Sequence, residues 1–154
     1  QLGKELRAPL QPLRRSLISR EENAVRTVEL VFDFAKAQPE VFMVGVRELY
    51  GASKPVREAL RKVIDEVAGD LAEDMRVMQI TPGLDDKTAR ELAEVVVVQT
   101  FHSTLDYLEH PDQRAEILRR VVQFINALFV GAMAIHAGLP LATMVSTQQL
   151  KKPE

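Results

Sequence analysis

The sequence predicts an all-α fold, an antiparallel helical bundle. Apolar residues recur at steps of three and four along most of the chain, proline and glycine punctuate it at helix-length intervals, and no alternating strand pattern survives. With 154 residues, 46% hydrophobic and 27% charged, the chain is of the size that folds around one hydrophobic core. The formal net charge of −2 argues against a protein that as a whole coats nucleic acid or an anionic membrane. Cysteine is absent, which excludes disulfides, thiolate zinc sites and thiol nucleophiles and permits a reducing compartment.

Pro9 and Pro12 flank a first segment. From Glu21 to Ala37, Ala24, Val25, Val28, Val31, Phe32 and Ala35 keep the helical period, and Gln38-Pro39 ends the run. A proline pushes the residue before it out of the helical region and suits the first position of a helix, so Pro39 opens a short one, Glu40 to Tyr50, stopped by Gly51. Ser53 offers an N-cap and Pro55 a first turn for a helix whose Val56, Leu60, Val63, Ile64, Val67, Leu71 and Met75 run almost to Ile80, before Thr81-Pro82-Gly83 breaks the chain.

Asp85 or Asp86 caps the next helix. Val95 to Val98 alone could be a buried strand, because β-branched residues favour strands, but the flank Ala89-Arg90-Glu91-Leu92-Ala93-Glu94 and the overall length favour helix. Leu92, Val95, Val96, Gln99, Ser103 and Asp106 share one side and Val97, Val98, Phe101, Leu105 and Leu108 the other, so two faces are expected to be buried. His110-Pro111 starts the final helix, about 40 Å long, which Gly138-Leu139-Pro140 stops. Within it, Val121 to Leu141 is nearly long enough to span a bilayer, but Gln123, Asn126 and His136 interrupt it and the amphipathic pattern continues upstream through Ile117 and Leu118, as in a helix buried in protein. The tail after Pro140 has no clear period.

Catalytic constellations are nearly missing: there is no G-x-S-x-G, G-x-G-x-x-G, P-loop or H-E-x-x-H, and no histidine has a Glu three residues before it as a di-iron bundle requires. His102 and Asp106, one helical turn apart with Glu109 nearby, are the best enzymatic or metal candidates, set against a polar spot at a pocket or interface. Arg47-Glu48 beside Tyr50 reads as a structural ion pair, with Arg47 as the alternative contact for an anionic head group. The basic residues Arg14, Arg15, Arg20, Arg57, Arg61 and Lys62 are scattered among acids and read as solvated faces. The opening Gln1-Leu2-Gly3-Lys4 has neither an initiator Met nor a signal peptide's apolar core and reads as a fragment or a processed form.

Pro39-Glu40-Val41-Phe42, then Arg47-Glu48-Leu49-Tyr50-Gly51, then Val56-Arg57-Glu58-Ala59 resembles the effector domain of TetR-family transcriptional repressors, most of all the repressors of unsaturated fatty acid synthesis with their P-x-x-F-x-x-x-x-R-E-x-x-G run. The likeness extends from about Ala24 to Ile135, in the order and lengths of helices more than in identities. It implies a cytoplasmic homodimeric regulator, not an enzyme, without cofactor, metal or membrane partner. In that family an N-terminal helix-turn-helix domain, expected to be absent from this chain, binds operator DNA, and the C-terminal domain binds a small ligand. Residues 1–140 would form the ligand-binding and dimerisation domain, with 1–20 in or after the linking helix and 141–154 a loose tail. The implied effector is hydrophobic, an acyl-CoA or other acyl thioester, and helix faces put Val28, Phe32, Phe42, Val46, Arg47, Ile64, Val67, Leu71, Val98, Phe101, His102 and Leu105 at its pocket. The dimer interface, through the last two long helices, would use Val95, Val96, Gln99, Ser103, Leu118, Val121, Val122, Ile125, Leu128, Phe129 and Ala132. A helical enzyme built on His102 and Asp106, and a ligand-free helical interaction module, are the competing readings.

Overall fold

The computed structural model describes residues 2–14 and 20–139. Six α-helices follow one another: α1 (Leu2–Arg14), α2 (Arg20–Ala37), α3 (Pro39–Glu48), α4 (Lys54–Val77), α5 (Asp86–Glu109) and α6 (Arg114–His136), with a 3₁₀ turn over Pro111–Gln113, and no strand occurs among the described residues. The expected loose tail, residues 141–154, and Pro140 lie outside them.

Local signals set most boundaries. Asp85 caps α5, its side chain accepting from the Thr88 backbone N–H at 2.9 Å and from the Thr88 hydroxyl at 2.7 Å. Gly138, at φ 74°, closes α6 in a Schellman turn in which Gly138 donates to Ile135 and Leu139 to Ala134. The same turn ends α4 at Val77, short of Ile80, with Gln79 at φ 51° in the position glycine usually takes, and it folds Ile80 back so that its N–H donates to Met75 at 2.9 Å.

Two boundaries differ from expectation, and one expected cap lacks its side-chain bond. Pro9 and Pro12 lie inside α1 instead of flanking it. Each removes one backbone hydrogen bond, but both prolines are exposed while Leu10 between them is only 2% exposed, so packing against the bundle holds the helix through positions where local preference would break it. Ser53 occupies the N-cap of α4 without a side-chain hydrogen bond. Pro111 opens the 3₁₀ turn, and the α-helix proper begins three residues later at Arg114.

The core forms where α2 and α5 cross between α4 and α6. Phe32, fully buried, stacks on Tyr107 at 4.7 Å with 13° between the rings, and the Arg114 guanidinium lies over both. Arg114 is itself fixed by Asp33 at 2.9 Å and the Tyr107 hydroxyl at 3.2 Å. Gly69 leaves room for the Arg90 side chain, which crosses from α5 to ion-pair with Asp65 on α4. Ile117, Val121, Ile125 and Phe129 turn the apolar stripe of α6 into this core. The segment Pro111–His136 is long and apolar enough, by length and composition, to cross a membrane; one side of it packs against α2 and α5, and 22% of its most apolar stretch is buried in the single chain.

Candidate effector cavity

Toward the start of α2 and the end of α4 the bundle does not close. A cavity of about 290 Å³ lies there among four helices, close to the lower end of the usual range for small-molecule sites. Its apolar wall comes from Ala24 and Val28 of α2, Leu71 and Met78 of α4, Val96 of α5, Ile125 and Phe129 of α6, and Ile80, which the Schellman turn folds inward. The residues that α2 and α5 contribute include the short Ala24, Thr27 and Thr100, beside which the space goes unfilled.

The rest of the wall is polar. Asn23 and Thr27 stand one turn apart on α2, with the Thr27 hydroxyl donating to Asn23 Oδ1 at 3.2 Å. Thr100, on α5, donates its hydroxyl to the Val96 carbonyl at 2.8 Å. Asp74 of α4 is 1% exposed, and Asn126 of α6 completes the polar set. Among the described residues Asp74 is the only charged side chain that lines the cavity.

The expected effector residues divide between this cavity and the packed interior. Val28 and Leu71 line the cavity. Phe32 and Val67 are buried core, and Phe42 meets Phe101 edge to face at 5.6 Å. Phe42, Val46, Ile64 and Phe101 surround a separate void of about 30 Å³, room for little more than one water. Val98 borders an open depression with Tyr50, Arg61 and Glu94, and Leu105 is half-buried. Arg47 points outward to Glu109 at 2.7 Å. His102 is exposed, its ring 6.0 Å from that of Tyr50.

The expected interface residues divide as well. Val96, Ile125 and Phe129 face the cavity and Val121 the core, while Leu118, Val122, Leu128 and Ala132 are half-buried. Ser103 is buried and accepts from Gln99 Nε2 at 3.2 Å. On the outer side of α5 and α6, Val95 is 46%, Phe124 38% and Ile135 66% exposed in the single chain. The enzymatic candidates sit on that same outer side: Asp106 pairs with Arg120 at 3.7 Å and Glu109 with Arg47, and among the described residues no three His, Asp or Glu side chains are grouped to hold a metal ion.

Sequence reasoning missed Asn23, Thr27, Asp74, Met78, Ile80, Thr100 and Asn126 as cavity residues. For the polar ones the signal is a polar side chain set within an apolar stripe, as Thr27 is beside Val28 and Thr100 beside Phe101; Met78 and Ile80 carry no such mark.

The family model described as the tetracyclin repressor-like C-terminal domain matches residues 21–128. The chain belongs to this family. The match begins one residue into α2 and ends within α6, so it takes in every residue that walls the cavity except Phe129. No curated protein matches the chain. A tetracyclin repressor-like C-terminal domain is the ligand-sensing and dimerising part of a transcription regulator, and the helical bundle with its internal cavity is of that kind.

Proposed function

We propose that residues 1–140 are the effector-binding and dimerisation domain of a transcription regulator, and that the cavity between α2, α4, α5 and α6 receives a small hydrophobic effector. The observation that carries this reading is the position of the cavity: all of its wall but Phe129 lies within the family match, and it is walled by helices whose packing an occupant must alter. An acyl chain, as in the fatty-acid-responsive repressors the sequence resembles, is one apolar body the cavity suits. Operator binding would belong to a helix-turn-helix domain joined before α1.

A route from cavity to α1 is built into the ion pairs. Arg7 of α1 binds Asp70 of α4 through both Nε (2.6 Å) and Nη2 (2.9 Å), and reaches Glu66 at 2.8 Å. Asp70 neighbours Leu71 and stands one turn from Asp74, both in the cavity wall. A two-pronged guanidinium–carboxylate pair fixes orientation as well as distance, so a shift of α4 about an occupant carries α1 with it. An effector that prefers one position of α4 therefore biases α1, and by linkage the position of α1 biases effector affinity.

The outer face of α5 and α6, with Val95, Phe124 and Ile135 exposed, supplies the self-complementary surface for a two-fold dimer. Native mass spectrometry of the purified protein, before and after adding long-chain acyl-CoA, tests the whole reading. A dimer that retains or takes up a stoichiometric acyl ligand supports it in full. A dimer indifferent to acyl-CoA removes the acyl assignment, and a monomer removes the dimerisation role.

A further inference from the structure

Taking the cavity as the effector site, we infer that it is blind at its inner end, so that its effector is compact: an apolar body of about two fused rings or ten chain carbons, not a long-chain lipid. The inner end is set by the side chains one helical turn further into the bundle. From the cavity wall toward the end of the bundle where α3 lies, Val28 leads to Phe32 on α2, Leu71 to Val67 and Ala68 on α4, Thr100 to Thr104 on α5, and Ile125 to Val121 on α6. None of these five is more than 4% exposed, and all four helices contribute to the layer. Phe32 is stacked on Tyr107 beneath Arg114, and the Thr104 hydroxyl donates to the Thr100 carbonyl at 2.7 Å. Parting the layer breaks these contacts in an interior packed too densely to take up the displaced atoms elsewhere. Beyond it, the void beside Phe42, Val46, Ile64 and Phe101 measures only about 30 Å³ and offers no continuation for a chain.

The space in front of the layer is about 290 Å³, nearly double the volume of an engineered apolar cavity of about 150 Å³ that holds one benzene ring. At the same filling, two rings or a chain of about ten carbons occupy it. Each methylene that leaves water for this space strengthens binding about fourfold. A methylene beyond the filled length stays toward the start of α2 and the end of α4, where among the described residues the bundle does not close, and gains little. A long acyl thioester therefore finds room for only that length of its chain, with the rest and its head group left outside.

Displacement of 1-naphthylamine, a neutral two-ring fluorophore, tests the inference on the full chain, with the straight-chain 1-alkanols from hexanol to dodecanol as competitors. The expected result is potency that rises about fourfold per carbon up to about ten carbons and changes less than about twofold from decanol to dodecanol. Ala24→Leu, which adds carbons to the wall, should bring the break to a shorter chain, and Met78→Ala, at a half-buried position just past α4, should move it to a longer one. Potency that still climbs about sixteenfold from decanol to dodecanol overturns the inference while leaving the cavity reading intact, since the chain then runs past the layer of Phe32 and Val67. A break that stays in place in both variants also overturns it, since the limit on length then lies outside this cavity. A probe that binds the wild type and an Ala24→Phe variant, with its cavity filled, equally well overturns the cavity reading and this inference with it.

Discussion

Replacing Phe32 with alanine separates a core residue from a ligand contact. The helical period of α2 makes Phe32 look like a pocket residue, but the structure seals it completely, stacked on Tyr107 with the Arg114 guanidinium above. Truncating a buried Phe to Ala costs about 3–5 kcal/mol, with the larger values where the surroundings cannot collapse. Collapse is hindered here: Arg114 is tied to Asp33 and Tyr107, and α2 is held between α5 and α6. The loss of a stacked aromatic partner also pushes toward the upper part of that range. At about 4 kcal/mol, and about 2–4 °C per kcal/mol for a chain of this size, the melting temperature falls by roughly 12 °C. Urea unfolding followed by circular dichroism, at fixed protomer concentration because dimerisation couples to stability, should show a lower midpoint at nearly unchanged slope. Effector affinity measured well below the melting transition should stay within about threefold of wild type. A stability loss under about 1 kcal/mol together with lost effector binding would refute the placement of Phe32 in the core and return it to the pocket.

Three further outcomes are expected. The Asp85 carboxyl is held below its ordinary range because the Thr88 side chain and backbone N–H donate to it, so its contribution is full above the unfolded-state value near 3.8 and lost as pH falls through the depressed folded value; the melting-temperature gap between wild type and Asp85→Ala should be open at pH 6 and close toward pH 2. Arg7→Gln should lower stability by no more than about 1 kcal/mol, since the pair is partly exposed, yet abolish the effector-dependent change in amide hydrogen exchange along α1; an unchanged exchange response would show that α1 is driven through some other contact. Phe124→Asp should shift the sedimentation equilibrium of the chain from dimer to monomer without altering its helical circular dichroism, and a dimer that persists would move the interface off the outer face of α5 and α6.

What could be read in advance follows the range of the interactions concerned. Caps and stops are decided by a few neighbouring residues, so Asp85, Gly138 and the glycine-proline breaks were legible in the chain, as was the helical state of Val95 to Val98 from its flanks. Pro9 and Pro12 were misleading because the opposing force, burial of Leu10 against the bundle, acts across the fold and outweighs a local penalty. The cavity was harder for a different reason. Periodicity tells which side chains turn inward but not whether those from facing helices meet, and Thr27 and Phe32 belong to the same inward arc of α2 while one borders empty space and the other is fully enclosed. The difference lies in the side-chain volumes around each: Tyr107 and Arg114 fill the space beside Phe32, whereas Thr27 borders the cavity with Ala24 and Thr100, whose side chains are short. Buried polar groups carry the remaining information. A threonine or an aspartate inside an apolar stripe costs stability unless something hydrogen-bonds to it, and the recurrence of polar residues on four helices, Asn23 and Thr27, Asp74, Thr100 and Asn126, edges one cavity with groups that a plain core would have replaced with methyls. In a domain of the ligand-sensing class, such a polar-edged cavity is where the proposed effector would sit.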